Sequence, residues 1–268
     1  MNVGAGHQYC EPDWKSLARG LPATKSEFAS CIAGALSARG YAHVNSPMPP
    51  DYCELIAAEL GALMSRSDVK IDKDRETAQE KTRVVKGRPG PYGSAAFGFH
   101  TDNIRVDVVS FYCVEQDATD GALLLLDLRD VAERFKQEEL NILSGIDLWA
   151  PPVTETGAGK EDFFYLAPLL SRGETSCRVY YIPWLLRDSY EKQESELLAR
   201  FSDYVREKSD AQTIRVPFQR GESVFIDNHR MLHGRAAIAE NSRRHLIRIY
   251  LSVPSMSCRS LVRRFQSD

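Results

Sequence analysis

The sequence predicts an α+β fold whose core is a double-stranded β-helix, or jelly roll, covered by helices. Three observations lead to this prediction. Seven short β-rich stretches follow residue 98, two helical stretches interrupt them, and a helix–strand–helix pattern precedes them. Many short strands with a few covering helices are typical of closed or double-sheet β architectures. Mixed barrels of this length are commonly single domains, so residues 1–268 are expected to form one domain.

The N-terminal region, residues 1–95, is expected to combine helices, a strand and a loop. Its first helix has apolar residues at helical spacing and ends on Gly40, which suits the residue that follows a helix. Charged and then Gly/Pro-rich residues 70–96 predict an irregular loop, and residues 73–97 are the candidate lid. The predicted regular elements are a helix over 24–40, a strand over 41–45 and a proline-opened helix over 49–64.

The C-terminal region, residues 96–255, is expected to form the jelly-roll core with helical insertions. Its candidate strands are short, apolar and mostly bounded by Gly, Asp or Asn. The predicted helical insertions cover residues 128–144 and 188–209. The predicted strands cover residues 105–114, 121–128, 146–153, 177–184, 213–218, 222–228 and 245–253.

The composition is that of an ordinary globular protein and argues against several classes of partner. The formal net charge is -3 with no basic stripe, so neither nucleic acid nor an anionic membrane is expected as a partner. No apolar run approaches the ~20 residues that span a bilayer, and no signal peptide is recognisable. The six cysteines are scattered and form no CxxC pair. Their even number would allow disulfides, but without a recognisable secretory signal reduced thiols and a cytoplasmic location are expected.

A histidine and an aspartate, His100 and Asp102, stand two apart in the stretch AFGFHTDNIRV. Such a pair can be a surface accident, a structural ion pair or two ligands of one metal ion. On a strand, both side chains would project to one face, about 6–7 Å apart along the backbone. The pair is therefore a candidate metal site whose assignment depends on further ligands.

Further histidines occur in residues 221–253. His229 and His233 are four apart, which on a helix would suit a two-histidine zinc site. The preceding run is strand-like, and the glutamate of an H-E-x-x-H motif is absent, so this site is disfavoured. Two histidines and one carboxylate from distant strands suit the facial triad of non-haem Fe(II) oxygenases, which leaves coordination positions open for other ligands.

The two stretches together resemble motifs of the Fe(II)/2-oxoglutarate-dependent oxygenases of the taurine dioxygenase group. H-T-D at 100–102 is followed by D-N-x-R-x-L-H-G-R at 227–235 and R-x-x-x-R at 244–248. The flank FYCVEQDATDGALLLLDLRDV is also similar to the clavaminate synthase and carbapenem synthase branches. The resemblance covers residues 95–253 and implies that His100, Asp102 and His233 are the iron ligands. His229, in a variable position of the motif, is expected to lie beside the site.

The resemblance also implies roles for two arginines. Arg244 matches the arginine that binds the distal carboxylate of 2-oxoglutarate, since a planar guanidinium can grip a carboxylate through two hydrogen bonds. Arg248 matches a position that often holds an acidic group of the substrate. Surface ion pairing is the alternative for both. Arg248 lies between Ile247 and Ile249, which favours an inward, paired side chain over a solvated one.

Two further positions affect the implied chemistry. Relatives often place a threonine beside the cosubstrate, whereas this chain has Leu123 and Leu124 at the candidate positions. The cosubstrate would then lack this hydroxyl, or another residue would supply one. Halogenating relatives have a small residue in place of the carboxylate ligand, so the presence of Asp102 argues against halogenation.

The implied function is that of a dioxygenase that uses Fe(II), 2-oxoglutarate and O2 to hydroxylate an unactivated C–H bond. Desaturation, cyclisation and epimerisation remain open outcomes of the same chemistry. Arg248 and the clavaminate-like flank favour a small carboxylate-bearing substrate, such as an amino acid or an amino-acid-derived natural-product intermediate. Two alternatives stay open: a cupin-like metal-dependent isomerase or hydrolase that does not use 2-oxoglutarate, and a catalytically silent sensor or scaffold.

Overall fold

The fold is α+β, as predicted, and its described strands pair antiparallel. The computed structural model describes residues 25–48, 59–60, 70–77, 94–104, 106–116, 121–150, 165–172, 177–217, 219–239, 242, 244–252 and 263–264. Its helices are α1 (Lys25–Arg39), α2 (Val131–Arg134), α3 (Gln137–Leu143) and α4 (Lys192–Gln212), and a 3-10 turn covers Pro183–Leu185. The strands are β1 (Tyr41–Val44), β2 (Lys70–Thr77), β3 (Phe97–His100), β4 (Val108–Glu115), β5 (Leu123–Asp127), β6 (Asp147–Ala150), β7 (Tyr165–Pro168), β8 (Leu170–Arg172), β9 (Cys177–Val179), β10 (Ile214–Val216), β11 (Ser223–Asp227), β12 (Met231–Arg235), β13 (His245–Ser252) and β14 (Arg263–Arg264).

Two antiparallel sheets share an apolar core between them. One sheet has the order β1-β11-β4-β13-β2 and the other has the order β10-β5-β12-β3. Because side chains alternate along a strand, every second residue of these strands points into the shared core. The smaller sheets have the orders β14-β7-β6 and β8-β9. The buried residues of the shared core are Val106, Val109, Phe111, Cys113, Leu123, Leu125, Val216, Val224, Ile226, Met231 and Leu246.

Helices cover the two remaining sheet faces. Helix α1, which is confirmed, buries Phe28 and Ile32 in a cluster with Phe225 of the five-stranded sheet. Helix α4, the second predicted insertion, buries Phe201 in a cluster that includes Leu126 of the four-stranded sheet. Among the described helices, none is long and apolar enough to cross a bilayer. The described cysteines Cys31, Cys113 and Cys177 are free thiols.

Most predicted strands are confirmed, and two predictions in the C-terminal region need correction. The insertion over residues 128–144 is two short helices, because Phe135 between them is extended (φ -119°, ψ 145°) and buried in the apolar core. The predicted strand over 177–184 stops at Val179, and its last part forms the 3-10 turn, with Pro183 at the turn's first position. Strands β4, β5, β10, β11 and β13 confirm the predictions over 105–114, 121–128, 213–218, 222–228 and 245–253.

The N-terminal region differs from expectation at residues 70–97. The prediction of an irregular loop there was wrong for residues 70–77, which form β2 and pair along their whole length with β13. Strand β2 is at the edge of its sheet, and charged residues are common in edge strands because they discourage pairing with other chains. The predicted strand over 41–45 is confirmed as β1. The predicted helix over 49–64 and the candidate lid lie largely outside the described residues.

Gly234 of β12 allows an unusually close approach between β12 and β3. A methyl group on Gly234 would lie 2.7 Å from the carbonyl oxygen of Phe97, a contact that the two backbones cannot tolerate without moving. Strand β3 ends at His100, so a displacement of β3 would move this histidine as well. A glycine at this position thus permits the short distance between the two strands.

We expect Gly234→Ala to lower the free energy of unfolding by about 1–3 kcal/mol, as for overpacked cores. Thermal unfolding measures this change, and anaerobic Fe(II) titration should show weaker metal binding. The matched control is Gly34→Ala on α1, where the added methyl group meets no atom within 4 Å. Because alanine favours helix over glycine, the control should stabilise the protein slightly. Normal stability and metal affinity in Gly234→Ala would contradict the role given to this glycine.

Candidate metal centre

Strands β3 and β12 place two histidines side by side. His100 and His233 are directly opposite each other in the antiparallel pair, and their ring centroids are 4.4 Å apart. Both side chains are buried. The pairing of the two strands, and not the spacing of histidines along the chain, therefore brings these two rings together. Because His233 lies on a strand, the helical zinc site considered for His229 and His233 is excluded.

Asp102 reaches the same place by a different route from the one predicted. The expectation that His100 and Asp102 share one strand was wrong, because β3 ends at His100 and Asp102 lies in the loop that follows. This loop nevertheless brings Asp102 Oδ2 to 3.3 Å from Nε2 of His233. One potential ligand atom from each of the three side chains lies within 4.8 Å of the other two.

The donor atoms at this centre fit a divalent cation. His100 Nδ1 lies 2.8 Å from the carbonyl oxygen of Gly98; if Nδ1 carries the proton, the Nε2 lone pair is left for a metal. Burial, together with neighbouring His233, lowers the pKa of His100 to about 3, so the ring is neutral. Asp102 Oδ2 and His233 Nδ1 are buried without a hydrogen-bond partner among the described residues. Two imidazoles and one carboxylate suit Fe(II).

Asp102 is held in its charged form by its neighbours. Burial would raise the pKa of this carboxyl group, but Arg248 and His233 together hold its pKa well below the usual value. Arg248, on β13, places Nη1 3.4 Å from Asp102 Oδ1, and its guanidinium lies 4.7 Å from the centre of the Tyr250 ring. The expectation of an inward, paired Arg248 therefore agrees with the structure.

Asn228, which precedes β12, binds the loop that carries Asp102 through hydrogen bonds of its side chain. Its Oδ1 accepts a hydrogen bond of 2.7 Å from the backbone N–H of Asp102. Its Nδ2 donates to the carbonyl oxygens of Val106 at 2.8 Å and Asn103 at 3.2 Å. Asn228 is almost fully buried, so these bonds are shielded from water. One side chain thus sets where Asp102 lies relative to His233.

We expect Asn228→Ala to weaken Fe(II) binding by about 10–100-fold, the usual effect of removing a residue that orients a metal ligand. Anaerobic metal titration and thermal unfolding together test this. Asn228→Asp keeps the acceptor for the Asp102 N–H but sets a buried carboxylate oxygen against the carbonyl oxygens of Asn103 and Val106, so it should not restore the affinity. The control is Asn141→Ala, an exposed asparagine on α3 that pairs with Gln137. A lower melting temperature with unchanged metal affinity would show that Asn228 only stabilises the fold.

The remaining residues of the D-N-x-R stretch build the scaffold around the centre. His229 Nε2 lies 3.1 Å from Asp107 Oδ1, in line with its expected place beside the site and not in the ligand set. Arg230 donates two hydrogen bonds to Asp127 of β5, at 3.0 and 2.8 Å. Arg230 also donates to the carbonyl oxygen of Ser37 at the end of α1. These roles were not predicted, although His229 and Arg230 both belong to the D-N-x-R motif.

Arg244 lies one residue before β13 and is buried. Its Nε donates a hydrogen bond of 3.2 Å to Gln116 Oε1, and its backbone N–H donates to Ser242 Oγ. Leu123, one of the two positions where a threonine was considered, is buried in the core shared by the two sheets, whereas Leu124 is half-buried. Arg244 is therefore a desolvated guanidinium, which suits tight binding of an anion.

Two histidines on adjacent strands of one sheet and a carboxylate that follows one of those strands form the ligand set of the non-haem iron oxygenases. Comparison with protein families gives a match of residues 28–250 to the family described as taurine catabolism dioxygenase TauD, TfdA family. The match spans most of the sequence. The chain belongs to this TauD/TfdA dioxygenase family, which confirms the resemblance seen in its motifs.

Solved structures with a similar fold agree with this membership. An asparagine oxygenase, solved with Fe(II), hydroxyasparagine and succinate, has a TM-score of 0.60 and 18% identity, with 85% of this chain and 79% of that chain covered. The non-haem iron oxygenase OrfP, solved with iron and α-ketoglutaric acid, has a TM-score of 0.58 and 15% identity, with 89% of this chain and 82% of that chain covered. PvcB from Pseudomonas aeruginosa has a TM-score of 0.57 and 16% identity, with 90% of this chain and 84% of that chain covered. A search of curated proteins gave no significant match.

Proposed function

We propose that this protein is a non-haem Fe(II)- and 2-oxoglutarate-dependent oxygenase that hydroxylates an unactivated C–H bond of a small carboxylate-bearing substrate. The observation that carries the proposal is the convergence of ligand atoms from His100, Asp102 and His233 within 4.8 Å. Membership of the TauD/TfdA family supports it. We place such an enzyme in the cytoplasm, with a small molecule as its partner.

An amino acid or an amino-acid-derived intermediate is the substrate class we propose. Two proteins of similar fold support it, because the asparagine oxygenase was solved with 3-hydroxyasparagine and OrfP with a hydroxyarginine. Arg248 supports it as well, since this guanidinium lies beside Asp102 and could pair with the substrate carboxylate.

The architecture we propose for the whole chain is one oxygenase domain over residues 1–268. Its N-terminal region covers residues 1–95, and the two facing sheets of residues 96–255 form a jelly-roll core. The apolar cluster that lies between the two sheets supports this arrangement, because a jelly roll buries one face of each sheet against the other.

The chain's own residues contribute position, charge and exclusion of water. His100, Asp102 and His233 would hold the iron, and Arg244 would bind the distal carboxylate of 2-oxoglutarate. When bound, iron with 2-oxoglutarate and O2 supplies the oxidising power for hydroxylation, and the cosubstrate becomes succinate and CO2. Phe111 packs against His233 with ring centroids 5.6 Å apart, and this apolar contact keeps water from one side of the site.

The test of this proposal is a pair of measurements. Anaerobic addition of Fe(II) and 2-oxoglutarate to the protein should produce a weak visible charge-transfer band. A screen of free amino acids and simple derivatives in air should then reveal at least one that drives succinate formation. A metal-dependent isomerase or hydrolase would change its substrate without 2-oxoglutarate, and that result would refute the oxygenase proposal. If none of the candidates drives succinate formation, the catalytically silent sensor replaces the enzyme as the explanation.

A further inference from the structure

Trp184 is the one large apolar side chain that is exposed among the described residues, with 53% of its surface accessible. An exposed tryptophan leaves a large apolar area in contact with water, and covering it with a ligand recovers much of that free energy. Tryptophan is also enriched where proteins bind other molecules. The position of Trp184 relative to the metal centre therefore decides whether its exposed ring is a candidate for ligand binding.

The indole of Trp184 lies at the candidate metal centre. Its ring centroid is 5.0 Å from that of His100 and 4.9 Å from that of Phe97. Phe97 in turn contacts His100, with centroids 4.5 Å apart. The two aromatic rings thus form a wall that begins at a proposed iron ligand and reaches the solvent.

Thr101, the residue between His100 and Asp102, connects the loop that carries Asp102 to the chain segment that leads to Trp184. The backbone N–H of Thr101 donates to the carbonyl oxygen of Tyr181 at 2.9 Å, and the N–H of Tyr181 donates to Thr101 Oγ1 at 3.0 Å. Tyr181 is buried, and the 3-10 turn that carries Trp184 begins two residues later. The chain that enters the turn carrying Trp184 is therefore held before any ligand binds, which reduces the entropy lost on binding.

We propose that Trp184 and Phe97 form the wall against which the substrate side chain packs, and that the substrate is an amino acid with an apolar or aromatic side chain. The inference rests on the proposed function and names the class of its substrate. Arg248 would bind the carboxylate on the Asp102 side of the centre, and the aromatic wall would take the other end of the molecule. Apolar groups gain most from two adjoining aromatic faces because they lose no hydrogen bonds to water there.

Turnover measurements test the preference. The wild type should oxidise L-phenylalanine or L-leucine with a higher kcat/KM than L-asparagine or L-arginine, as followed by succinate release. Trp184→Ala should reduce that preference by about tenfold, in keeping with the loss of an aromatic contact. Trp184→Phe should keep most of it. A wild type that prefers L-asparagine or L-arginine, or a preference unaffected by Trp184→Ala, would overturn the inference while leaving the oxygenase proposal intact.

Tryptophan fluorescence gives a reading that does not depend on turnover. In protein loaded with Mn(II) and 2-oxoglutarate without O2, L-phenylalanine or L-leucine should change the emission in a saturable way. The change should disappear in Trp184→Phe and persist in the control Trp149→Phe, whose tryptophan lies on β6. A signal that persists in Trp184→Phe, or the absence of any signal, would refute the wall. The fluorescence result is therefore independent of turnover. A failure to oxidise any amino acid would count against the proposed function, whereas these fluorescence outcomes count against the wall.

Discussion

Replacing His233 with alanine is expected to abolish succinate formation and to remove most iron binding. The substitution deletes one of three donor atoms that lie within 4.8 Å of one another. Loss of residues that merely orient ligands costs about 10–100-fold in metal affinity, so the loss of a ligand should exceed about 100-fold. Anaerobic Fe(II) titration and a turnover assay measure the two effects.

The matched control for this experiment is His229→Ala, four residues earlier in the same stretch. His229 is also buried, but its Nε2 contacts Asp107 Oδ1 at 3.1 Å and does not belong to the metal-ligand cluster. The control should lose some thermal stability and keep its iron. Full activity in His233→Ala, or equal loss of iron in both variants, would mean that the ligands have been assigned incorrectly.

The sequence predicted the elements whose own residues specify them. Helix α1 has regular apolar spacing and a terminal glycine, β4 and β11 are largely apolar, and β13 is mostly apolar around Arg248. Strand β12 was not among the predicted strands, because it contains His233 and Gly234, and glycine is rare in strands. What makes β12 a strand is its pairing with β5 and β3 on both sides, which no local pattern reveals.

The candidate site was predicted by residue type, and its geometry was not. The resemblance of two motifs, H-T-D and D-N-x-R-x-L-H-G-R, to those of a known family implied that His100, Asp102 and His233 are the ligands. The loop that carries Asp102, in contrast, depends on hydrogen bonds between Asn228 and backbone atoms more than 100 residues away in the chain. Such contacts to backbone atoms leave no pattern in the partner's sequence. For the same reason, the link between Thr101 and Tyr181 could be found only in the structure.

The two arginines of the R-x-x-x-R motif should separate cosubstrate binding from substrate binding. With Arg244→Ala, the KM for 2-oxoglutarate should rise far more than the KM for the substrate. A charge-assisted hydrogen bond contributes about 1.5–3 kcal/mol, which corresponds to roughly a 10–150-fold rise. Arg248→Ala should show the opposite pattern. Both are measured at saturating iron, because Arg248 also contacts the proposed ligand Asp102.

The lysine variants make the comparison sharper, because lysine keeps the charge and loses the planar fork of arginine. If Arg244 grips the distal carboxylate of 2-oxoglutarate through two hydrogen bonds, Arg244→Lys should recover only part of the affinity that alanine loses. One partner of the Arg244 guanidinium is the amide oxygen of Gln116, at 3.2 Å, so the guanidinium already lies among groups that position it. If Arg248→Ala instead raises the KM for 2-oxoglutarate and Arg244→Ala raises that for the substrate, the two roles are exchanged. The carboxylates of the two ligands would then occupy opposite ends of the site from those proposed here.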